Sequence, residues 1–475
     1  MKNKIYNFLA VICLLMCSAC DNFLDITPDG QVKRDQLLST SEGIEDALYG
    51  AYSRLRINNL YGSELSFSAL EIMAQTLDCY GNDAVEALGK YDYKYSSVEG
   101  MFEGVWTSMY KNISNVNSIL NSSLVKNATE YPYNIYKGEA LGLRAFMHFD
   151  LMRIYTPQYT IANVKDNGIP YATDFSLITP EFETIEKNYE HIIADLLEAE
   201  KLLADEDKYV GKTTFMTDRQ IHFNLYAVQA TLARVYLTMG NKEKAYEYAS
   251  KVIEYSGKVL KEKTEVINDL AGVLSRKETI FGVYFSGFYS LVNEKLQKMV
   301  SYYSLNPRSD IMDIYNTHAD GLDYRTTAYF TNVEQGGVSV CRLSKLTDIY
   351  ELQGITSSRP SDLILGINMI RIPEMYYICA EALLDTDYDK ALGYFDAVLT
   401  HRGLEPLGNR AEGNVLTQDL INLERFKEYI GEGQTFFNMK RLNLPISSVD
   451  GEQTFAPSND IYVVPIPDVE IENRY

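Results

Sequence analysis

Apolar residues recur at three- and four-residue steps over most of the chain, which is the spacing of one face of an α-helix. In the segment Asp218–Met239, residues Leu225, Val228, Leu232 and Val235 all lie on one such face. The segments with this period are predicted to be helices: Ile44–Arg56, Val98–Leu124, Ile135–Tyr155, Thr184–Leu203, Asp218–Met239, Lys242–Tyr255, Ser361–Leu384, Tyr388–His401 and Thr417–Ile430. The pattern therefore predicts a mainly α-helical fold.

Strand-like runs are few and short, and Thr279–Phe285 and Ile461–Val464 are the examples that stand out. Long stretches without a regular period separate the helical blocks: Leu77–Ser97, Thr156–Pro180, Gly257–Lys277, Ser286–Leu363 and Leu444–Ile461. Loops of this length in a compact protein are usually functional or disordered. Because the first and the fourth stretch are rich in tyrosine, we expect any binding surface to be built there.

Two helix pairs have the spacing of tetratricopeptide units, in which a small residue lies where the two helices cross. The first pair, Tyr226–Ser256, has these residues at the expected offsets: Leu232, Ala233, Tyr236, Gly240 and Ala245. The second pair runs from Met375 to Arg402, with Ala380 and Ala391 as its small crossing residues. Such pairs must stack on neighbouring helices to form a core. The predicted fold class is mainly α, with a tetratricopeptide-like scaffold, long irregular loops and few short strands.

The first residues have the features of an export signal. Lys2 and Lys4 precede an apolar run, Phe8–Met16, and small residues lead to Cys20. This pattern predicts a signal peptide over residues 1–19. Small residues directly before a cysteine also resemble a bacterial lipobox, although Cys17 stands where that pattern usually has leucine. We therefore expect Cys20 to be lipidated, with a plain secretory signal as the alternative.

Composition and charge narrow the choice of function. The chain has 475 residues, with 44 Lys and Arg against 65 Asp and Glu, so its formal net charge is -21. A field of this sign repels phosphate backbones and disfavours a nucleic-acid partner. If Cys20 carries the lipid, the mature chain has three other cysteines, Cys79, Cys341 and Cys379. This odd number favours buried thiols over a disulfide framework.

No motif in the sequence gives a positive reason to expect an enzyme. The five histidines are far apart and form no His-Glu-x-x-His pair. Gly211–Thr213 ends like a phosphate-binding loop, but Glu206 occupies the place of its first glycine. Asp385–Asp389 has calcium-loop spacing, yet Lys390 replaces the required glycine, so helix capping explains these acids better. We predict no catalytic residue, no metal and no cofactor.

A series of short motifs follows Cys20 in a fixed order along the whole mature chain. They are Asp21–Pro28, Ala47–Leu48 with Gly50–Tyr52, Trp106 with Tyr110, Ile113 and Asn117, Leu143–Phe146 with Phe149–Leu151 and Tyr155, Asp195–Leu196 with Ala199, Ala233–Leu237, Tyr376–Ala382, Glu424–Arg425 with Glu428, Glu432–Gly433, Lys440–Arg441, and Pro465–Pro467 with Glu470 and Asn473. This ordered set resembles the SusD/RagB family of surface lipoproteins. The chain departs from the family pattern at Thr435 and Asn438, where many members carry arginine and aspartate, and in its early end at Tyr475.

The resemblance implies a fold, a location and a function. Members have a tetratricopeptide-like scaffold with irregular loops packed over it, and they sit as a hinged lid on a TonB-dependent outer-membrane transporter. They bind oligosaccharides, or peptides in some branches, at the cell surface. The implied organisation is an N-terminal SusD-like region, 20–285, and a C-terminal SusD/RagB region, 286–475, whose residues 286–363 are a loop-rich insert. We expect the two regions to form one compact unit.

Residue chemistry is compatible with sugar binding. The C–H faces of sugars pack on aromatic rings, while hydroxyl groups bond to Asn, Asp and Arg side chains. The chain has 37 tyrosines but a single tryptophan, Trp106, which lies in a helix motif and is expected in the core. The predicted ligand-binding residues are Tyr80, Asn82, Asp83, Tyr91, Tyr93, Tyr302, Tyr303 and Arg308. The alternatives are peptide capture, a structural role for each tyrosine, and a ligand-free assembly scaffold.

Overall fold

The computed structural model describes residues 34–78, 81–176, 178, 180–268, 274–297, 305–317, 320–335, 337–346, 364–410, 415–472 and 474. Its α-helices are α1 Arg34–Leu37, α2 Ser41–Leu55, α3 Ala69–Met73, α4 Asp83–Gly89, α5 Ser96–Leu120, α6 Tyr133–Tyr155, α7 Ile185–Leu203, α8 Leu225–Thr238, α9 Lys242–Tyr255, α10 Lys263–Asn268, α11 Phe288–Val292, α12 Ile311–Asn316, α13 Tyr324–Tyr329, α14 Ile372–Leu383, α15 Tyr388–His401, α16 Gln418–Tyr429, α17 Thr435–Arg441, α18 Asn459–Tyr462 and α19 Asp468–Glu472. The predicted signal peptide and Cys20 lie outside the described residues.

The strands are short and pair two by two. They are β1 Leu77–Asp78, β2 Asn167–Pro170, β3 Phe182–Thr184, β4 Thr279–Tyr284, β5 Asn306–Pro307, β6 Phe330–Gln335, β7 Val338–Leu343, β8 Gly366–Arg371, β9 Ile446–Ser447 and β10 Thr454–Phe455. The antiparallel pairs are β1–β5, β2–β3, β4–β8, β6–β7 and β9–β10. Together with the helices, these pairs confirm the predicted class, a mainly α fold with few short strands.

The two predicted tetratricopeptide-like pairs are present and stack on each other. Helices α8 and α9 form the first pair, α14 and α15 form the second, and α9 packs against α14. Four small crossing residues, Ala233, Ala245, Ala380 and Ala391, are fully buried. Since none of them has a side chain beyond Cβ, the helix backbones can approach closely at these points.

Helix α6 is the centre of the N-terminal helices and is buried along almost its whole length. It packs against α5 on one side and against α7 on the other. Gly142 in α6 permits one of these contacts, because a Cβ at this position would lie 2.4 Å from Cδ1 of Phe223.

The sequence pattern was wrong in two places. Within the predicted helix Ser361–Leu384, residues Gly366–Arg371 form a strand, β8, and helix α14 begins only at Ile372. Residues 361–363 lie outside the described residues. Strand β8 pairs with β4, a partner that lies far away in the sequence and that helical periodicity cannot reveal. Pro373 then occupies the first turn of α14, where its missing N–H is harmless.

The predicted strand Ile461–Val464 is also different, because Asn459–Tyr462 forms a single helical turn, α18. The N–H of Val464 donates to the carbonyl of Ile154 at 3.1 Å. That carbonyl belongs to the last turn of α6, whose final carbonyl groups lack partners within the helix. The apolar run thus covers a helix end and is not part of a sheet.

The stretch 286–363 is less irregular than its sequence suggests. Its described residues contain three short helices, α11 to α13, and the hairpin β6–β7. The hairpin register runs from Phe330 opposite Leu343 to Gln335 opposite Val338. These short elements lack the long amphipathic period by which the other helices were predicted.

Candidate functional site

The β1–β5 ladder brings the two predicted binding segments of the chain together. Leu77 pairs with Pro307 and Asp78 pairs with Asn306, so segments more than 220 residues apart in sequence are neighbours. The N–H of Arg308 extends this contact by donating to the carbonyl of Thr76 at 3.1 Å. Three of the predicted residues, Tyr80, Tyr302 and Tyr303, lie outside the described residues.

Asn82 and Asp83 begin helix α4 beside the ladder. The Oδ1 atom of Asn82 accepts hydrogen bonds from the N–H groups of Ala84 at 3.1 Å and Val85 at 3.2 Å. Asn82 is therefore the N-cap of α4, a role in which its side-chain oxygen is already bonded. Asp83 is exposed, so its carboxylate is accessible from solution.

The Arg308 guanidinium is largely committed to the protein itself. Its Nη2 donates to Asp310 Oδ2 at 2.9 Å, and a second bond joins Nε to the same carboxylate. Longer bonds reach the carbonyl of Gln75 at 3.3 Å and that of Ser448 at 3.4 Å. These contacts tie β5 to the end of α3 and to the segment after β9. Arg308 thus positions the neighbouring segments, which is a different role from the predicted ligand contact.

Two of the predicted platform tyrosines are buried, and the prediction that they form an exposed surface is wrong. Tyr91 is 6% exposed, its hydroxyl donates to the Met73 carbonyl at 2.8 Å, and its ring meets Phe455 edge to face. Tyr93 is 7% exposed, and its hydroxyl donates to the Ile461 carbonyl at 2.7 Å. Burial raises the pKa of both phenols. Their rings fasten the loop to the C-terminal segment.

Other tyrosines of the irregular stretches behave in the same way. Tyr289, Tyr315 and Tyr329 are all buried. Tyr315 is fully enclosed and donates from its hydroxyl to the carbonyl of Lys427 at 2.5 Å. The richness in tyrosine that pointed to a binding surface is, in the described residues, largely a means of packing long loops onto a helical scaffold.

Sequence reasoning missed a cleft between α6, α8, α14, α16 and α17, here called the basic cleft. Five cationic residues line it: Arg153, Arg234, Arg425, Lys440 and Arg441. Lys440 is buried and donates to the Arg153 carbonyl at 2.6 Å. Burial, helped by the Arg153 guanidinium, lowers the pKa of Lys440 well below its usual value. In a chain of net charge -21 this concentration of positive groups is unexpected.

The motifs Glu424–Arg425 and Lys440–Arg441 were visible in the sequence, but only as elements of a fold. Nothing in their spacing relates them to Arg153 or Arg234, which come from helices two to three hundred residues earlier. The basic cleft exists because α6 and α8 pack beside α16 and α17, and that arrangement leaves no local signal.

In the part of the chain that the structure describes, no group of three or more His, Cys, Asp or Glu side chains is arranged to hold a metal ion. Among the described helices, none has both the length and the apolar character required to cross a bilayer.

Comparison with known proteins agrees with this architecture. A family model described as "Starch-binding associating with outer membrane" matches residues 22–237, and a second one, described as "SusD family", matches residues 233–460. The chain belongs to the SusD/RagB family. The description of the first family model also associates such proteins with the outer membrane.

Individual relatives in this family are distant in sequence, and one of them matches nearly the whole chain. SusD-like protein P2 of Formosa agariphila is 24% identical over 522 residues, covering 98% of this chain and 97% of that protein. SusD-like protein P38 of the same organism is 26% identical over 212 residues, and the match covers 41% of this chain and 39% of P38.

Solved structures show the same SusD fold. A SusD superfamily protein of Bacteroides thetaiotaomicron superimposes with a TM-score of 0.72 at 24% identity, covering 90% of this chain and 97% of that one. A SusD-like carbohydrate binding protein of Bacteroides vulgatus has a TM-score of 0.70 at 21% identity, covering 90% and 95% of the two chains. At these identities the likeness establishes the fold, and the ligand must be argued separately.

Proposed function

We propose that this protein is a non-catalytic, lipid-anchored surface protein that binds oligosaccharides and delivers them to a TonB-dependent outer-membrane transporter. Family membership supports the class of function, since a matching family model and the Bacteroides vulgatus relative are both described by carbohydrate binding. In this proposal residues 1–19 are removed as a signal peptide, and regions 20–285 and 286–475 form the mature protein.

The observation that carries the binding role is the β1–β5 ladder. It joins the segment that leads to Tyr80, Asn82 and Asp83 with the one that follows Tyr302 and Tyr303. Tyrosine offers an apolar face and a polar tip, and carboxylates and amides accept or donate hydrogen bonds to sugar hydroxyls. In this proposal the two segments supply both kinds of group to one binding surface.

Peptide capture is the second candidate, and the position of the chain's single tryptophan favours it. Trp106 is only 3% exposed, and its Nε1 donates to Glu470 Oε2 at 3.2 Å. This large flat ring is therefore a core residue, as predicted, and is not available as a platform for a sugar. A ligand that relies less on aromatic stacking would suit such a surface.

Calorimetric titration of the mature protein against separate pools of oligosaccharides and peptides tests the binding role. We expect heat with oligosaccharides, and about tenfold weaker binding in Asp83→Ala, because a lost hydrogen bond to a charged group costs about 1.5–3 kcal/mol. Asp389→Ala is the matched control, since Asp389 is also exposed and lies in the first turn of its helix, α15.

Other titration results would overturn the oligosaccharide proposal. Heat with peptides alone would favour the peptide candidate, and heat with neither pool would favour a ligand-free scaffold. Equal weakening in Asp83→Ala and Asp389→Ala would remove the β1–β5 edge as the binding surface.

The anchor and the transporter are tested in cells. We expect radiolabelled palmitate to be incorporated into the wild-type protein and not into Cys20→Ser, and the wild type to be found in the outer-membrane fraction. Acyl chains hold a protein at a membrane through buried methylene groups, each contributing about 0.8 kcal/mol. Affinity purification from solubilised outer membranes should recover a TonB-dependent barrel, and recovery without one would contradict delivery.

A further inference from the structure

A second cavity lies beside the basic cleft and shares Arg425, Gln434 and Asn438 with it. It is enclosed mainly by α16 and α17 and is here called the inner cavity. The adjoining basic cleft is lined in part by the half-exposed residues Gln158 and Thr238.

Four buried polar atoms of the residues that line the inner cavity have no hydrogen-bond partner among the described residues. They are Asn422 Nδ2, Arg425 Nη1, Tyr429 Oη and Thr435 Oγ1. Asn422, Arg425 and Tyr429 follow one another at steps of three and four in α16, so they lie on one face of the helix. Buried polar groups are rarely left unpaired, and each such group requires an explanation.

The orientation of Asn422 follows from a chain of bonds that starts at an arginine. Arg441 Nη2, which can only donate, bonds to Asn438 Oδ1 at 2.7 Å. Asn438 Nδ2 must then be the donor to Asn422 Oδ1 at 3.1 Å, which leaves the amide nitrogen of Asn422 as the free group. A guanidinium and an amide nitrogen donate only, and the hydroxyls of Tyr429 and Thr435 can each donate as well.

The positive charge at this site has one carboxylate nearby, at a distance too long for a hydrogen bond. Arg425 is 8% exposed, and the Glu381 Oε2 atom lies 4.0 Å from its Nη1, beyond hydrogen-bond distance. Glu381 is already held by Arg441, whose Nη1 and Nη2 donate to its two oxygens at 2.6 Å and 2.8 Å. Arg425 Nη1 therefore has an ion-pair partner but no hydrogen-bond acceptor among the described residues.

We propose that the inner cavity binds a small, singly charged anion, a halide or a carboxylate, which accepts hydrogen bonds from Asn422, Arg425, Tyr429 and Thr435. One anion accepts hydrogen bonds from several of these groups at once and lies beside the positive charge of Arg425. A neutral water molecule would instead accept from Asn422 and Arg425 while donating to the two hydroxyl oxygens, and the crystal test below separates the two occupants.

Crystals of the mature protein soaked in bromide provide the direct test. We expect an anomalous peak in the inner cavity, within hydrogen-bond distance of Arg425 Nη1 and Tyr429 Oη. Soaking in acetate with bromide then separates the two chemistries: loss of the peak identifies a site that takes carboxylates, and persistence identifies a halide site. Ordered water alone in the cavity, with bromide only on the outer surface, would overturn the proposal.

Thermal unfolding of matched variants tests the same site in solution. At constant ionic strength, replacing a bulky arylsulfonate by bromide should raise the melting temperature of the wild type. Tyr429→Phe should bind bromide about tenfold more weakly and lose most of this rise, because it removes one donor to a charged acceptor. Without bromide, Tyr429→Phe should be as stable as the wild type, since its hydroxyl then has no partner.

Tyr377→Phe is the control, because the Tyr377 hydroxyl is also buried and unpartnered among the described residues but does not line the inner cavity. Its ring lies 6.3 Å from that of Tyr429, so the two substitutions are made in nearly the same surroundings. Tyr377→Phe should keep the full bromide-dependent rise. Equal rises in both variants and the wild type would contradict an anion site at Tyr429.

Discussion

Arg234 and Glu374 form a two-point ion pair between helices α8 and α14. Nε donates to Oε1 at 2.8 Å and Nη2 donates to Oε2 at 2.6 Å, and both residues are buried. Although burial by itself raises the pKa of Glu374, the Arg234 charge outweighs it and holds the pKa below its usual value. Arg234 also bonds to the Met369 carbonyl in β8, so one side chain joins both tetratricopeptide-like pairs and a strand.

Loss of one partner of this pair should be costly. Arg234→Met is expected to lower the free energy of unfolding by about 3–5 kcal/mol, because it leaves the Glu374 carboxylate buried without its counter-charge. Urea denaturation measures the change. The double variant with Glu374→Leu should recover part of the loss, whereas Lys244→Ala, at the exposed Lys244–Glu247 pair, should leave the midpoint unchanged. A small effect of Arg234→Met would show that the pair does not stabilise the helix packing.

His148 should make the protein less stable in mild acid. Its Nδ1 bonds to the Arg144 carbonyl at 2.9 Å and its Nε2 to the Ala172 N–H at 3.1 Å, which requires a neutral ring protonated on Nδ1. Burial, above all, lowers the pKa of His148 to about 3. Between about pH 6.5 and pH 3 the unfolded chain binds a proton at His148 that the folded protein does not bind. The free energy of unfolding therefore decreases as the pH is lowered, by up to about 1.4 kcal/mol per pH unit.

His148→Gln removes this titration while keeping one donor and one acceptor. Urea denaturation at pH 7, 6, 5 and 4 should therefore give a flatter stability profile for His148→Gln than for the wild type. Parallel profiles would mean that the His148 ring is protonated in the folded protein or is exposed to solvent.

Two glycine-to-alanine substitutions should change the stability of the protein in opposite directions. Gly142→Ala should destabilise the protein by about 1–3 kcal/mol, because the new Cβ would lie 2.4 Å from Phe223 Cδ1 in a packed interface. Gly50→Ala, at an exposed position of α2 with no atom within 4 Å of the new Cβ, should stabilise by about 0.5–1 kcal/mol. Thermal unfolding of both variants checks the prediction, and a shift of the same sign in both would contradict it.

Tyr91→Phe and Tyr93→Phe should separate packing from ligand binding. Each removes a buried hydroxyl that donates to a backbone carbonyl, so each should lower the free energy of unfolding by about 1 kcal/mol. Affinity for the ligand, measured by the same titration as for Asp83→Ala, should not change. If either variant bound the ligand more weakly while its stability was unchanged, that tyrosine would be part of the binding surface.

Much of the helical scaffold was predictable because its signals are local. Helix α9 has the predicted bounds Lys242–Tyr255, since an apolar period coincides with Gly240, at a left-handed φ of 76°, and with Asn241, whose side chain caps the helix. The departures Thr435 and Asn438 were also visible in the sequence, and both line the inner cavity. The cavity itself was not predictable, because its walls come from two helices whose packing no local pattern specifies.

The sequence by itself determined most of the helices, because apolar periodicity and capping act over a few residues. The class of protein followed from the resemblance of its ordered motifs to the SusD/RagB family. Tertiary structure alone decided which tyrosines are buried, as when the Tyr93 hydroxyl bonds to the carbonyl of Ile461, 368 residues later. It likewise decided that Asp78 lies opposite Asn306 and that cations from four helices line one cleft. Such features depend on contacts between distant segments, and a side chain's identity does not state which distant segment will cover it.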